Sequence, residues 1–281
     1  MRSTSVLLVF LSFAACAADE PPVPALTGRV ERETFPSTIV NDAYLIEVRL
    51  PPSYDQLPAR SYPVVFQLDG TNFGPEFAIT AGFASGLEGQ GRISETIVVG
   101  VGYPYVDPLI SSTQGRGRDY VPVSFDGKPG GLDPFVRFLV EELLPHIDSK
   151  YRVDSSRRIL SGHSLGGFVS LYTLFTTYQK PAPPFWGFIG GDPSLGEADY
   201  RLLDEETALH ALTSSLPIPL YLEIARFDGA VQRLSFQALD ERLRAHYPDL
   251  RYASELRDTD HPGTIRPSFQ NGLLHLLGGA K

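Results

Sequence analysis

The stretch Arg158-Ile-Leu-Ser-Gly-His-Ser-Leu-Gly-Gly-Phe168 decides how this chain folds. A short apolar run leads into Gly162-His163-Ser164-Leu165-Gly166, and residues 167–178 then read as a helix. G-x-S-x-G alone is a weak signal, since ordinary Gly and Ser frequencies produce it in about one such chain in seven. Its place between a strand and a helix gives it physical meaning. A sharp turn there lifts the serine hydroxyl above the sheet edge, and small residues two before and two after permit the strained backbone and close helix packing. The helix N-terminus adds a positive dipole end beside the nucleophile.

Working outward, strand-like and helix-like segments alternate from about residue 43 to the end. The spacing predicts strands over 43–50, 62–68, 95–101, 158–161, 185–190, 218–226 and 250–257. Several are short continuous apolar runs, as expected of strands covered on both faces. Over 133–147, Asp133 suits a cap and Pro134 the first helical position, while Phe135, Val136, Leu139, Leu143 and Ile147 repeat at helical spacing. Pro145 is expected to bend or end that helix. A second helix over 230–245 places Val231, Leu234, Ala238 and Leu243 on its apolar face. This alternation predicts a single α/β domain over 30–281 with a mainly parallel sheet and helices on both faces. Residues 103–131 break the rhythm, with no clear period and many Gly, Pro and Tyr residues. A loop of this length inside a compact domain is usually functional.

A serine nucleophile needs a base, because its free hydroxyl is a poor nucleophile at neutral pH. In this architecture the chain order is serine, acid, histidine. Four of the six histidines follow Ser164: His210, His246, His261 and His275. His210 and His275 sit in apolar helical contexts, and His246 ends a charged helix. His261 lies in Asp258-Thr-Asp-His-Pro-Gly263, directly after the last predicted strand, where ligand chemistry gathers in such sheets. His261 is therefore the expected base. Asp228, following the strand over 218–226, is the expected acid, with Asp258 and Asp260 as competitors close to the histidine and Glu223 placed within the strand. The oxyanion needs preorganised donors. The backbone N–H of Leu165 is one, and the turn Asp69-Gly70-Thr71-Asn72 supplies the other, from Thr71 or from Asn72.

Composition narrows the function classes. The chain has 281 residues and a net charge of −9, which argues against nonspecific nucleic-acid binding. Its single cysteine, Cys16, excludes a disulfide framework and a cysteine-based zinc site. No cofactor or metal is called for, and the expected partner is a small-molecule ester. The N-terminus, MRSTSVLLVFLSFAACAADE, has a short basic start and about ten apolar or small residues, half of what a membrane span needs. It reads as an export signal over 1–17. Ala15-Cys16-Ala17 fits ordinary cleavage, whereas Phe13-Ala-Ala-Cys16 resembles a lipobox in which Cys16 becomes lipidated. A Pro-rich arm over 18–29 follows. The expected location is the bacterial periplasm or outer membrane, with secretion as the alternative.

These residues resemble the putative-esterase family of the α/β-hydrolase superfamily, which includes siderophore (enterochelin) esterases, S-formylglutathione hydrolases, feruloyl and acetylxylan esterases and mycolyltransferases. The resemblance rests on Leu50-Pro-Pro-Ser-Tyr54, Tyr62 to Gly70, Arg118-Asp-Tyr120, the Gly130–Tyr151 segment with Glu141-Glu-Leu143, and Ser161 to Gly167. The siderophore-esterase branch is the most similar. The resemblance implies an α/β-hydrolase fold and a Ser164, Asp228, His261 triad acting through an acyl-enzyme, and supports the oxyanion role of Thr71. Two places depart from the family pattern: Ala225-Arg-Phe-Asp228 is not the usual Gly-rich version, and Asp192 stands where Ser is common, altering the pocket. An anionic catecholate ligand would call on Arg116, Arg118 and Lys128, with Tyr103, Tyr105 and Tyr120 for stacking; Arg118 pairing only with a neighbouring carboxylate is the alternative. Acyl transfer on the same fold and a catalytically silent binding lipoprotein are the rival functions.

Overall fold

A computed structural model describes residues 21–71, 76–104, 115–123, 129–197 and 200–279. The proposed signal and Cys16, together with Asn72, Tyr105 and Lys128, lie outside them. Eight strands form one sheet: β1 (Arg29–Ser37), β2 (Asp42–Leu50), β3 (Tyr62–Leu68), β4 (Ile97–Gly102), β5 (Val153–His163), β6 (Gly187–Gly191), β7 (Pro219–Ala225) and β8 (Arg251–Arg257). Their order is β1-β2-β4-β3-β5-β6-β7-β8. The β1–β2 and β2–β4 pairs are antiparallel and every other pair is parallel. The mainly parallel sheet expected from the alternation is present.

The apolar runs behave as the physics requires. Every residue of β3, β4, β6 and β7 is buried. Because side chains alternate across a strand, the sheet feeds two cores. Val64, Phe66 and Leu68 join one, with Leu160, Phe168 and Leu239; Val65 joins the other, with Val98, Ile159, Phe83 and Phe269. The first core is covered by the helices Leu165–Thr177 and Ala230–His246, the second by Glu76–Gly89 and Ile265–Leu277.

Three local readings are corrected. No strand was predicted before residue 43, yet β1, which has no apolar run, pairs along nine residues with β2. Two of its inward positions are charged: Glu31 accepts from the Tyr151 hydroxyl, and Glu33 meets His146 and Lys150, while Phe35 packs against the first core. Charge on an edge strand also discourages pairing with another chain. Secondly, Pro145 does not end its helix. Leu132–Arg137 is α-helical, Phe138–Leu143 is π-helical, and α-helix resumes over Leu144–Lys150. The N–H that proline lacks falls just past the change of register, where the regular ladder is already interrupted. Thirdly, the helix Ala230–His246 buries Ser235, Leu239 and Leu243, while Val231 and Leu234 are 56% and 66% exposed. The buried face is therefore rotated from the predicted one over the first half of the helix, while Leu243 is buried as expected.

Candidate active site

The parallel strands β3, β5, β6, β7 and β8 all release their chemistry at their carboxyl ends. Asp69-Gly70-Thr71 follows β3, Ser164 follows β5, Asp192 follows β6, Asp228 follows β7 and His261 follows β8. Ser164 has φ 60° and ψ −123°, a conformation that side chains rarely adopt, at the start of the helix Leu165–Thr177. Its N–H donates to the Gly191 carbonyl at 2.9 Å, and its own carbonyl accepts from Phe168 and Ser194. Gly162 is required by contact: a Cβ there would lie 2.4 Å from the Gly166 backbone. This is the strained elbow that the spacing implied, with the serine Oγ 3.5 Å from the Oγ of Ser194.

His261 Nδ1 lies 2.7 Å from Asp192 Oδ2 and 3.5 Å from Asp228 Oδ2. Two carboxylates therefore face one ring nitrogen, and Asp192 makes the shorter contact. Asp192, expected to line the substrate pocket, is instead fully buried. The contact fixes the tautomer with the proton on Nδ1, leaving Nε2 as the basic nitrogen. Burial pulls the His261 pKa down, but the hydrogen bond and charge of Asp192, reinforced by Asp228, outweigh it and the net direction is up. Asp228 is also shifted up, by burial first and by the charge of Asp192 second. Of the competing acids, Asp258 pairs with Arg226 and Asp260 accepts from the Gly263 N–H. Glu223 binds Arg257 and the Tyr221 hydroxyl within the sheet.

His163 was missed by sequence reasoning. Its ring sits 4.6 Å from that of His261, and its Nε2–H donates to Thr264 Oγ1 at 2.9 Å, while the Thr264 hydroxyl donates to the His261 carbonyl at 2.7 Å. Burial holds the His163 pKa down at about 3, so it is a neutral strut for the histidine loop. Its position next to Ser164 was visible in the sequence, but its partner Thr264 is 101 residues away. His163, Asp192 and His261 each bring a ligand atom within 4.8 Å of the others. The ring nitrogens facing Thr264 and Asp192 are already hydrogen-bonded, so this donor set is built to hold a histidine rather than a cation. The remaining histidines serve the scaffold: His246 bonds Glu206 and stacks on His210, and His275 bonds the Arg251 carbonyl.

The expected substrate residues are mostly engaged. Arg116 makes a bidentate ion pair with Asp69, at 2.8 and 3.1 Å, and donates to the His163 carbonyl at 3.4 Å. Arg118 binds Asp42 at 2.8 Å and Asp119 at 2.5 Å. Asp119 also accepts from the hydroxyls of Tyr44 and Tyr103. Tyr120 is fully buried, its hydroxyl accepting from the Asp69 N–H. The segment around 115–123 thus ties the turn after β3 to the elbow. On that turn, Thr71 Oγ1 donates to the Tyr103 carbonyl and accepts from the Tyr103 N–H. Leu165 is the first residue of the helix Leu165–Thr177, directly after Ser164.

The family described as "Putative esterase" matches residues 37–181. The chain belongs to that family. It is 28% identical over 216 residues to a ferri-bacillibactin esterase of Bacillus subtilis, covering 70% of each protein. It is also 29% identical over 168 residues to an apo-salmochelin esterase of Escherichia coli, covering 55% of this chain and 48% of that one. Among solved structures, the BES protein of Bacillus cereus superposes with a TM-score of 0.77 at 24% identity, covering 92% of this chain and 99% of that one. The fold of this esterase is accordingly that of the α/β-hydrolases, and the chain is a hydrolase of the ester-cleaving class.

Proposed function

We propose that this esterase cleaves a siderophore-type carboxylic ester through an acyl-enzyme formed on Ser164. The observation that carries the reading is the elbow serine with φ 60° on the same sheet edge as a histidine whose Nδ1 is held by a buried carboxylate at 2.7 Å. In this reading Ser164 Oγ attacks the ester carbonyl while His261 Nε2 takes its proton. The oxyanion is held by the N–H groups of Leu165 and Thr71, and the imidazolium is stabilised through Nδ1. His261 then protonates the leaving alkoxide, and water, activated by the same nitrogen, releases the acid and restores the serine. Asp192 replaces Asp228 as the residue in closest contact with the base, and Asp228 stands beside it. The substrate class is supported by the names of the relatives, siderophore esterases of bacteria. Arg116 and Arg118 do not supply the basic cluster once expected for an anionic ligand, since Asp69, Asp42 and Asp119 neutralise them.

The test uses a fluorophosphonate probe and p-nitrophenyl acetate with the wild type and Ser164→Ala, followed by a panel of siderophore, aryl and sugar esters read by mass spectrometry. Labelling and turnover confined to the wild type are expected, with siderophore esters the best substrates. Labelling that persists in the variant sinks the serine mechanism, and preference for sugar or aryl esters sinks the substrate class. Export belongs to the same proposal, with the apolar run before Cys16 as its support. Mass spectrometry of the mature N-terminus decides between a lipidated Cys16 and a chain beginning at Ala18; an intact Met1 in exporting cells overturns both.

A further inference from the structure

β6 and β7 are paired neighbours, and the two residues that meet His261 leave them side by side. Asp192 is fully buried, with its N–H committed to the Glu223 carbonyl at 2.6 Å. Its Oδ2 takes the His261 Nδ1–H, but among the described residues no N–H or O–H group is hydrogen-bonded to its buried Oδ1. An acceptor left dry and unpaired is costly, about 1–3 kcal/mol. Asp228, with a side chain 22% exposed, is the other carboxyl at the same nitrogen, 3.5 Å from it. Two carboxylates this close do not both ionise cheaply; one retains a proton. The upward shift of Asp228 by burial and by Asp192 agrees with the proton residing there.

Resting on the reading of His261 as the base, we propose that Asp192 and Asp228 form an exchangeable acid pair, in which a protonated Asp228 donates to Asp192 Oδ1 and can itself take over His261 Nδ1. In the resting state the pair holds one proton and one negative charge. Asp192 Oδ2 accepts from Nδ1, and the Asp228 hydroxyl fills the orphaned Oδ1. When Nε2 takes the serine proton, the charge of the pair balances the imidazolium and no proton leaves the pair. If Asp192 cannot carry charge, Asp228 releases its proton to solvent, through its exposed side, and becomes the acceptor for Nδ1. The charged and titratable groups facing the pair are His261 from the loop after β8, His163 from the end of β5 and Arg116 from the long loop; Arg233 donates to the Asp228 backbone carbonyl.

The test compares Asp192→Asn, Asp228→Asn and the double variant. Three readouts are taken: kcat/KM for p-nitrophenyl acetate from pH 5 to 9, the rate of fluorophosphonate labelling, and the low-field NMR resonance of the His261 Nδ1 proton. Each single variant is expected to lose about three- to tenfold, with a shifted acid limb and a low-field proton still present. The double variant should lose about 10⁴-fold, the cost of disabling the acid of such a triad, and lose the low-field proton. Either single variant as impaired as the double one, with near-UV circular dichroism unchanged, overturns the pair. If Asp192→Asn does not fold, Asp228→Ala, which leaves Asp192 Oδ1 without a donor where asparagine would supply one, decides alone: an unaltered low-field proton and pH profile overturn the proposal. A wild type that takes no fluorophosphonate label overturns the serine-esterase reading itself, and is distinguishable because it precedes any aspartate variant.

Discussion

Arg116→Met removes the only positive charge in contact with the Asp69 carboxylate among the described residues, and the structure sets the size of the effect. The guanidinium side chain is 11% exposed and that of Asp69 1%. Losing one partner of a buried pair costs about 3–5 kcal/mol, because the other charge is left dry. For a domain of this size each kcal/mol lowers Tm by about 2–4 °C, so a fall of about 6–20 °C is expected at pH 8. The pH dependence has a definite sign. Burial already pushes Asp69 above the ordinary carboxylate range against the pull of Arg116, and it pushes nearby Glu76 well above it, with the charge of Asp69 adding to the effect. An acid whose folded pKa is raised supports the fold below its unfolded pKa, and that support is lost as pH rises through the folded value. Without Arg116 the Asp69 pKa climbs further, so the Tm deficit must be smaller at pH 5 than at pH 8. Asp69 sits at φ 59°, a conformation that asparagine tolerates, so Asp69→Asn in the Arg116→Met background should recover most of the lost stability. The assay is differential scanning calorimetry of the three proteins at pH 5 and pH 8. A Tm change under about 2 °C, an equal deficit at both pH values, or no recovery in the double variant refutes the reasoning.

Two further outcomes follow from the geometry. Because the carboxylates at Nδ1 raise the His261 pKa, kcat/KM should fall on the acid side with a midpoint above 6.5, the ordinary histidine value, and stopped-rate assays across pH 5–9 that place it below 6.5 contradict the arrangement. The rotated face of the helix Ala230–His246 predicts that Leu239→Ala, at a fully buried site, costs about 2–5 kcal/mol. Leu234→Ala, at an exposed one, should stay within about 0.5 kcal/mol in urea titrations, and equal costs would restore the face expected from the sequence.

The parts of the site that depend on backbone shape were legible early. Gly162 and Ser164 announce the elbow because a Cβ at 162 collides with the turn, a constraint that local spacing records. His261 was legible for a similar reason, since its loop directly follows β8 and precedes the turn Pro262–Thr264. The acid was only half legible. Asp228 follows its strand as expected, but nothing in the spacing shows that Asp192 from the neighbouring strand reaches the same nitrogen by a shorter path. Arg116, Arg118 and Tyr120 look like ligand-binding groups in a polar loop, and they become internal struts once Asp69 and Asp119 are brought beneath them. β1 was hidden because its inward face mixes Phe35 with the charges of Glu31 and Glu33, whose partners Tyr151, His146 and Lys150 are far away in sequence.

The sequence by itself determined the α/β class and placed Ser164 and His261 at the carboxyl ends of their strands, because strand periodicity, a strained turn and chain order are properties of neighbouring residues. Tertiary structure alone decided which carboxylate holds the histidine, which arginines are neutralised and which helix face is buried. Those outcomes depend on distances between residues brought together by strand order and crossover, and on the desolvation that follows, neither of which is encoded in local spacing.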